Sequence, residues 1–313
     1  MYTLTVVNET LTPKTQLIPL NAISGTREQP LRLPDWLKTK VGKKLQMRET
    51  DAKLRELGIV TVCQEARCPN IGECWSHSTA TFMIGGDKCT RNCGFCSVTT
   101  HKPLALDAGE PQRVALAAQR LGLKYVVITS VDRDDIHDGG AAHWVETIQA
   151  VRAALPDAKI EILTPDFKGK LADVETVANT LPDVYNHNIE TVPRLYRTVR
   201  PGSKYQRSLD LLQHVKRLHP TMRTKSGLMT GLGETPEEIV EVLRDLRRHE
   251  IDFVTIGQYL QPTPRHLPVQ RYYHPDEFDS LRVQAEAMGF AMVAAGPFVR
   301  SSYHAGEDFE RAT

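Results

Sequence analysis

The sequence predicts a parallel α/β fold. From about residue 79, short apolar, β-branched runs alternate with amphipathic helical patterns, giving six βα units of about 30–35 residues each. The strand-like runs are almost continuously apolar, as strands covered on both faces must be. The runs also end in polar residues, at 129–135, 164–167, 187–190, 231–235 and 257–262. Parallel α/β folds place their chemistry at the carboxyl ends of strands. Any one of these ends reads equally well as an ordinary cap or turn; five together weigh toward a site. Six units are too few for an eight-fold barrel. An open partial barrel and a doubly wound open sheet both fit the pattern.

The elements follow in order. Residues 1–46 carry scattered prolines (Pro13, Pro19, Pro30, Pro34) and little periodicity, and read as an extended arm packed on a domain. MRETDAKLREL (47–57) is a short helix stopped by Gly58, opening a cysteine-bearing segment that runs to 78. The βα body spans 79–289. Its strands are TATFMI (79–84), KYVVITS (124–130), KIEILTP (159–165), DVYNHNIE (183–190), RTKSGLMTG (223–231) and DFVTIGQY (252–259). Its helices are 111–122, 141–155, 170–181, 204–218, 235–249 and 275–289. The fifth has acids in its first turn and bases in its last, matching the helix dipole. FAMVAAG (290–296) is a last strand-like piece at the head of a C-terminal extension, 290–313.

Composition excludes several classes. Of 313 residues, 41% are hydrophobic and 25% charged, which argues against collagen-like, membrane-spanning and wholly disordered chains. Lys+Arg is 39 against Asp+Glu 38, so the net charge is only +1, without the basic excess of a nucleic-acid binder. The N-terminus has no basic region, apolar core or small-residue cleavage site, and carries Glu9, so it reads as neither a secretory signal nor a transit peptide. No apolar run approaches the roughly 20 residues that span a bilayer. The cytoplasm, where thiols stay reduced, is the expected compartment.

All six cysteines lie between Cys63 and Cys96. Cys89, Cys93 and Cys96 form a CxxxCxxC motif in the loop after the first strand. Three thiolates so close can wrap one side of an iron–sulfur cluster. A 4Fe–4S cluster would then keep one iron without a protein ligand, an open position where a small molecule can bind. Zinc competes, with His101 as a possible fourth ligand, although zinc pairs are mostly CxxC. The second trio, Cys63, Cys68 and Cys74, has a different spacing. It could complete a shared site or be three reduced structural thiols; two clusters explain two unequal trios better.

A CxxxCxxC after a first strand, followed by βα repeats, resembles the radical S-adenosylmethionine superfamily. The upstream trio and GPFVRSSYHA (296–305) narrow this to a resemblance to the lipoyl synthases, running from about Trp36 to Ala305. It includes ARCPNIGECW, VVITSVDRDD, YNHNIETVPRLY, VRPGSKYQRSL, TKSGLMTGLGET and GQYLQPTPRHLPVQRY. The resemblance implies a partial (β/α)6 TIM-type barrel with an N-terminal cluster-binding extension and a short C-terminal extension. It implies that Cys89, Cys93 and Cys96 hold the 4Fe–4S cluster that binds S-adenosylmethionine. Cys63, Cys68 and Cys74 would hold an auxiliary 4Fe–4S cluster with Ser301 as fourth ligand and Ser302 as the fallback. A serine oxygen is a weak ligand for a soft metal, which suits a cluster meant to be opened. Without the family, both serines would read as ordinary tail residues.

The implied reaction inserts two sulfur atoms, at C6 and C8, into an octanoyl chain carried on a protein lysine. It uses two S-adenosylmethionine molecules per lipoyl group and draws sulfur from the auxiliary cluster. Implied partners are octanoylated lipoyl-carrier domains, on acyltransferase subunits of 2-oxoacid dehydrogenases and the glycine cleavage H protein. An electron donor such as flavodoxin or ferredoxin is also implied. Competing readings are a biotin synthase or methylthiotransferase-like enzyme and a zinc-binding interaction module. Unactivated C–H bonds offer no acid–base handle, so no general base or triad is expected.

Thr129, Ser130 and Asp132 would meet the methionine moiety, Asn188 and Glu190 the ribose hydroxyls, and Arg200 the methionine carboxylate; each also fits a cap, turn or core role. Gly85 and Gly86 let the cluster loop turn tightly. GLG (231–233) is no phosphate loop. The basic stretch Lys38, Lys40, Lys43 and Lys44 either meets an acidic carrier or is simply a solvated face. Gln258, Tyr259, Gln261, His266 and Arg271 are candidates to shape a substrate tunnel.

Overall fold

The structure is a computed structural model and describes residues 31–38, 44–77 and 80–313. The stretch up to residue 30, expected to be an arm, lies outside the described residues, as do Lys40, Lys43 and the side chain of Lys44. Lys38 is exposed and pairs with Asp35.

The strands are β1 (Thr81–Ile84), β2 (Lys88–Cys89), β3 (Thr99–Thr100), β4 (Tyr125–Ser130), β5 (Lys159–Leu163), β6 (Val184–Asn186), β7 (Arg223–Thr230), β8 (Phe253–Gln258) and β9 (Met292–Gly296). β2 and β3 pair with each other, on either side of the CxxxCxxC loop. The other seven form one parallel sheet in strict chain order, β1-β4-β5-β6-β7-β8-β9. A doubly wound sheet reverses its strand order at a switch point; this one never does. Right-handed crossovers without a reversal put every helix on the same side, so the sheet curls into a barrel wall. β1 and β9 are not paired, so the wall is open. All four residues of β1 and all six of β8 are buried.

The N-terminal helices are α1 (Lys44–Glu56), α2 (Val62–Glu65) and α3 (Ile71–Ser76). The barrel helices are α4 (Glu110–Leu121), α5 (Ala141–Ala154), α6 (Leu171–Ala178), α8 (Tyr205–Leu218), α9 (Pro236–Arg248) and α10 (Pro275–Ala287). Between α6 and α8 lies the single turn α7 (Tyr196–Val199). α4 stops at Gly122, whose φ of 65° suits glycine. α9 begins with a capping box between Thr235 and Glu238 and carries the expected acids and bases at its two ends. Among the described residues, no helix is long and apolar enough to cross a membrane.

Three elements differ from expectation. α1 starts at Lys44, inside the stretch read as an arm. The strand expected over 183–190 ends at Asn186. Beyond it the chain bulges: the Ile189 amide donates to Ser226 Oγ at 3.0 Å, and Glu190, at φ 66°, pairs with β7 on both sides through Gly227 and Met229. The strand-like piece 290–296 supplies β9, the seventh barrel strand.

After β9 the chain turns back and ends in α11 (Ala305–Ala312). Its Phe309 packs with Val184, Phe253 and Met292 and lies 5.7 Å from the ring of Tyr125. Those four residues begin β6, β8, β9 and β4, so α11 covers the amino end of the barrel. Above this floor a buried ion pair, Lys225 with Glu161 at 2.9 Å, takes further hydrogen bonds from Tyr125 and Asn186 to the carboxylate. The opposite end is left for the site.

Candidate active site

The carboxyl ends of the strands surround a cavity of about 450 Å³. Cys89, Cys93 and Cys96 line it, as do Cys63 and Cys68, so five of the six cysteines face a common space. Cys74 lines a small adjoining cavity of about 20 Å³ together with Cys63, Cys68, Arg300, Ser302 and Tyr303. Thr129, Ser130, Asp132, Asn188, Glu190, Arg200 and Ser301 all border the larger cavity.

The first trio sits on a loop that leaves β1 through Gly85 and Gly86, at φ 82° and 97°. Backbone bonds pin it on both sides: Thr90 to Asp132, Gly94 to Val199, and Leu267 to Gly94. A Cβ at Gly94 would lie 2.7 Å from Leu267 Cδ1 and 3.2 Å from the Thr198 carbonyl, so any larger residue there would have to displace Leu267. Arg91, inside the motif, is buried and reaches across the barrel rim. It donates to both oxygens of Asp134, to Asp166 at 2.6 Å and to Ser203, and lies 3.3 Å from Asp132. Arg207 holds the other oxygen of Asp166. Burial would raise the Asp166 carboxyl, but Arg91 and Arg207 outweigh it and hold it well below the usual carboxylate range. The amides of Arg91 and Asp132 point at Cys89 Sγ, at 3.5 and 3.4 Å.

The second trio is built from α2, the turn after it and α3. The Cys68 amide donates to the Cys63 carbonyl, and that of Cys74 to Asn70. The C-terminal RSSY turn straps over this segment. Asn70 donates to the Phe298 carbonyl at 2.7 Å, Tyr303 to Glu73 at 3.0 Å, and Thr81 to Ser302 at 2.8 Å. Ser301 turns toward the barrel, where the Asn188 amide donates to its Oγ at 2.7 Å. The same amide donates to Glu190 at 3.1 Å, so Asn188 links the two halves of the site. Gly227 makes this contact possible: a Cβ there would lie 2.6 Å from Thr255 Oγ1, 2.9 Å from Asn188 Oδ1 and 3.2 Å from Ser301 Oγ.

The electrostatics suit metal thiolates and a charged ligand. Burial pushes the Cys63 thiol up to about 11 and those of Cys74, Cys93 and Cys96 up to about 12; Cys68 and Cys89 are raised too. Without a metal these are inert thiols rather than nucleophiles. Burial also raises the carboxyls of Asp132 and Glu190. Arg200 is buried and donates to the Asn188 carbonyl at 2.7 Å, yet has no carboxylate within ion-pair distance among the described residues. Ser130 Oγ is buried without a partner. An unpaired guanidinium and an orphaned hydroxyl beside three thiols fit an iron–sulfur group and a zwitterionic ligand. His101, the candidate zinc ligand, is exposed and turned to the Lys102 carbonyl.

The tunnel candidates divide. Gln258, Tyr259 and Gln261 line the cavity. His266 and Arg271 do not. His266 buttresses the CxxxCxxC loop through the Cys96 carbonyl at 3.0 Å, and Arg271 stacks over the Tyr273 ring. Sequence reasoning passes over Arg91, Arg300 and Gly227. Their signal is position alone: one lies between two motif cysteines, one beside the RSSY serines, one in a strand facing the bulge.

A lipoyl synthase of Klebsiella pneumoniae subsp. pneumoniae is 54% identical over 296 residues, covering 93% of this chain and 92% of the relative. The chain belongs to the lipoyl synthase family. A lipoyl synthase of Pectobacterium atrosepticum is 53% identical over 294 residues, with coverage of 93% and 92%. The profile of the N-terminal domain of lipoyl synthase matches residues 15–68, and that of the radical SAM superfamily residues 83–246. The fold is also found in methylornithine synthase, with a TM-score of 0.54 at 16% identity, covering 82% of this chain and 72% of that one. A maturase of the FeFe hydrogenase gives 0.55 at 12% identity, covering 87% and 67%. As a lipoyl synthase family member the chain is a radical SAM enzyme, and its superfamily implies a 4Fe–4S cluster and S-adenosylmethionine.

Proposed function

We propose that this chain inserts sulfur at C6 and C8 of an octanoyl-lysine on a carrier domain, forming the lipoyl group. The observation that carries this reading is that one whole cysteine trio and two members of the other line one cavity. Segment 47–78 is then the auxiliary-cluster segment, 79–289 the partial barrel, and 290–313 a C-terminal extension that adds the last strand and the RSSY turn. Cys89, Cys93 and Cys96 would hold the 4Fe–4S cluster that binds S-adenosylmethionine; Cys63, Cys68 and Cys74, with Ser301, would hold the auxiliary one. When bound, these groups supply a 5′-deoxyadenosyl radical for each of two C–H bonds, and the sulfur that replaces the hydrogens.

The protein's own part is positioning. Arg200, charged and unpaired, receives the methionine carboxylate, and the free Ser130 hydroxyl, Thr129 and Asp132 line the same wall. Asn188 and Glu190 receive the ribose hydroxyls. Met83, Leu163, Leu228 and Met229 offer an apolar lining for the octanoyl chain and exclude water from it. Ser301 faces the shared cavity, while Ser302 also borders the small cavity of the second trio, which keeps Ser302 as the alternative ligand. Partners of this chemistry are octanoylated carrier domains and a flavodoxin- or ferredoxin-type donor, in the reducing cytoplasm.

Anaerobic turnover with an octanoyl-lysyl peptide, reductant and S-adenosylmethionine, followed by mass spectrometry, tests the reading. The expected product is heavier by two sulfur atoms. Cys68→Ala should still cleave S-adenosylmethionine but make no sulfur-bearing product; normal product from that variant would remove the sulfur-donor role. Ser301→Ala should lose product while Ser302→Ala keeps it; the reverse pattern moves the ligand to Ser302.

A further inference from the structure

Four arginines line the main cavity. Arg91 is neutralised by aspartates, and Arg67 is exposed to solvent. Arg200 and Arg300 are neither exposed nor ion-paired among the described residues. Arg200 stands beside the first trio. Arg300 lines both the main cavity and the small cavity of Cys63, Cys68 and Cys74. Its guanidinium donates to its neighbour's carbonyl, Val299, at 2.6 Å. The bare backbone at Gly257 makes room for it: a Cβ there would fall 2.1 Å from the Val299 carbonyl and 3.2 Å from Arg300 Nη1. The fold therefore builds a seat for an arginine and gives it no carboxylate.

A half-buried cation without an anion is disfavoured. Burial works against the charge of Arg300, and the Cys68 sulfur works in its favour. A cluster held by three thiolates and a serine oxygen carries net negative charge, and would complete the pair. We propose that Arg300 is the fixed counter-charge of the auxiliary site, a positioning residue that keeps that cluster easier to reduce and open. This rests on the reading that the second trio holds a cluster. Net charge near an iron–sulfur centre sets its reduction potential, so removing the cation must move that potential to more negative values. No electron or atom passes through Arg300 itself.

The test uses the full chain, reconstituted anaerobically, with Cys89, Cys93 and Cys96 replaced by alanine so that only the second trio can load. Redox titration followed by electron paramagnetic resonance is then run with Arg300 intact, with Arg300→Gln and with Arg300→Lys. The expected result is a more negative potential for Arg300→Gln and a potential near the parent's for Arg300→Lys. Loading by Arg300→Lys but not by Arg300→Gln also supports the proposal, because charge alone separates them. An unshifted Arg300→Gln, equal shifts in both variants, or failure of both to load would overturn it. A parent protein without a cluster would instead overturn the reading of the second trio.

Discussion

His187 lies fully buried behind the bulge after β6, with its two ring nitrogens against the Thr164 carbonyl at 2.8 Å and Ser208 Oγ at 3.0 Å. Burial, with the charge of Arg200 added to it, pushes its pKa down to about 3. The ring is neutral in the fold but ionises near 6.5 when unfolded. A depressed folded pKa contributes stability that is complete above the unfolded value and is lost as pH falls toward the folded one. Between pH 6.5 and about 3, this one residue should therefore cost the fold up to about 1.4 kcal/mol per pH unit. Urea unfolding at pH 7 and pH 5 measures it. The wild type should lose more stability over that interval than His187→Gln; equal losses would assign the acid sensitivity elsewhere. Nothing in the local sequence marks His187 as buried, because the groups around it come from the residue after β5, from β7 and from α8.

The helices and strands of the body were legible because their signals are local. Helix 111–122 is found at Glu110–Leu121, and strand 124–130 at Tyr125–Ser130. The exceptions depend on partners. α2 and α3, at four and six residues, are too short to display a helical period. β6 ends early because Ser226 and Gly227, on another strand, accept the bulge. The CxxxCxxC loop is likewise fixed from outside, by Arg91 on the aspartates that follow β4 and β5. Breaking a buried ion pair from one side costs about 3–5 kcal/mol; since Arg207 still holds Asp166, Arg91→Ala should cost close to 3. Chemical unfolding of the metal-free chain checks this, and a loss well under 1 kcal/mol would make the Arg91 network dispensable.

At the scale of the molecule, strand order decides the architecture. The βα pattern by itself left barrel and doubly wound sheet open, because both use the same units, and the family resemblance alone pointed to the barrel. Only the pairing of each strand with its chain neighbour separates them, and that is a tertiary fact. The cysteines were legible as two trios from spacing alone, but the opening of five of them onto one cavity was not, since the barrel brings them together. Two four-iron sites predict about eight irons per reconstituted chain, falling to about four when Cys63, Cys68 and Cys74 are all replaced. Iron analysis beside absorption near 400 nm checks both counts, and an unchanged count would deny the second trio its cluster. The strap of the RSSY turn has a consequence for the order of synthesis. Tyr303 lines the small cavity and is tied to Glu73, 230 residues earlier in the chain. A growing chain folds from its N-terminal end, so α2 and α3 emerge long before their cover exists. Until translation passes Tyr303, that pocket stands open to solvent. Were the second trio to hold a cluster, its pocket would be complete only once the barrel and the RSSY turn are made.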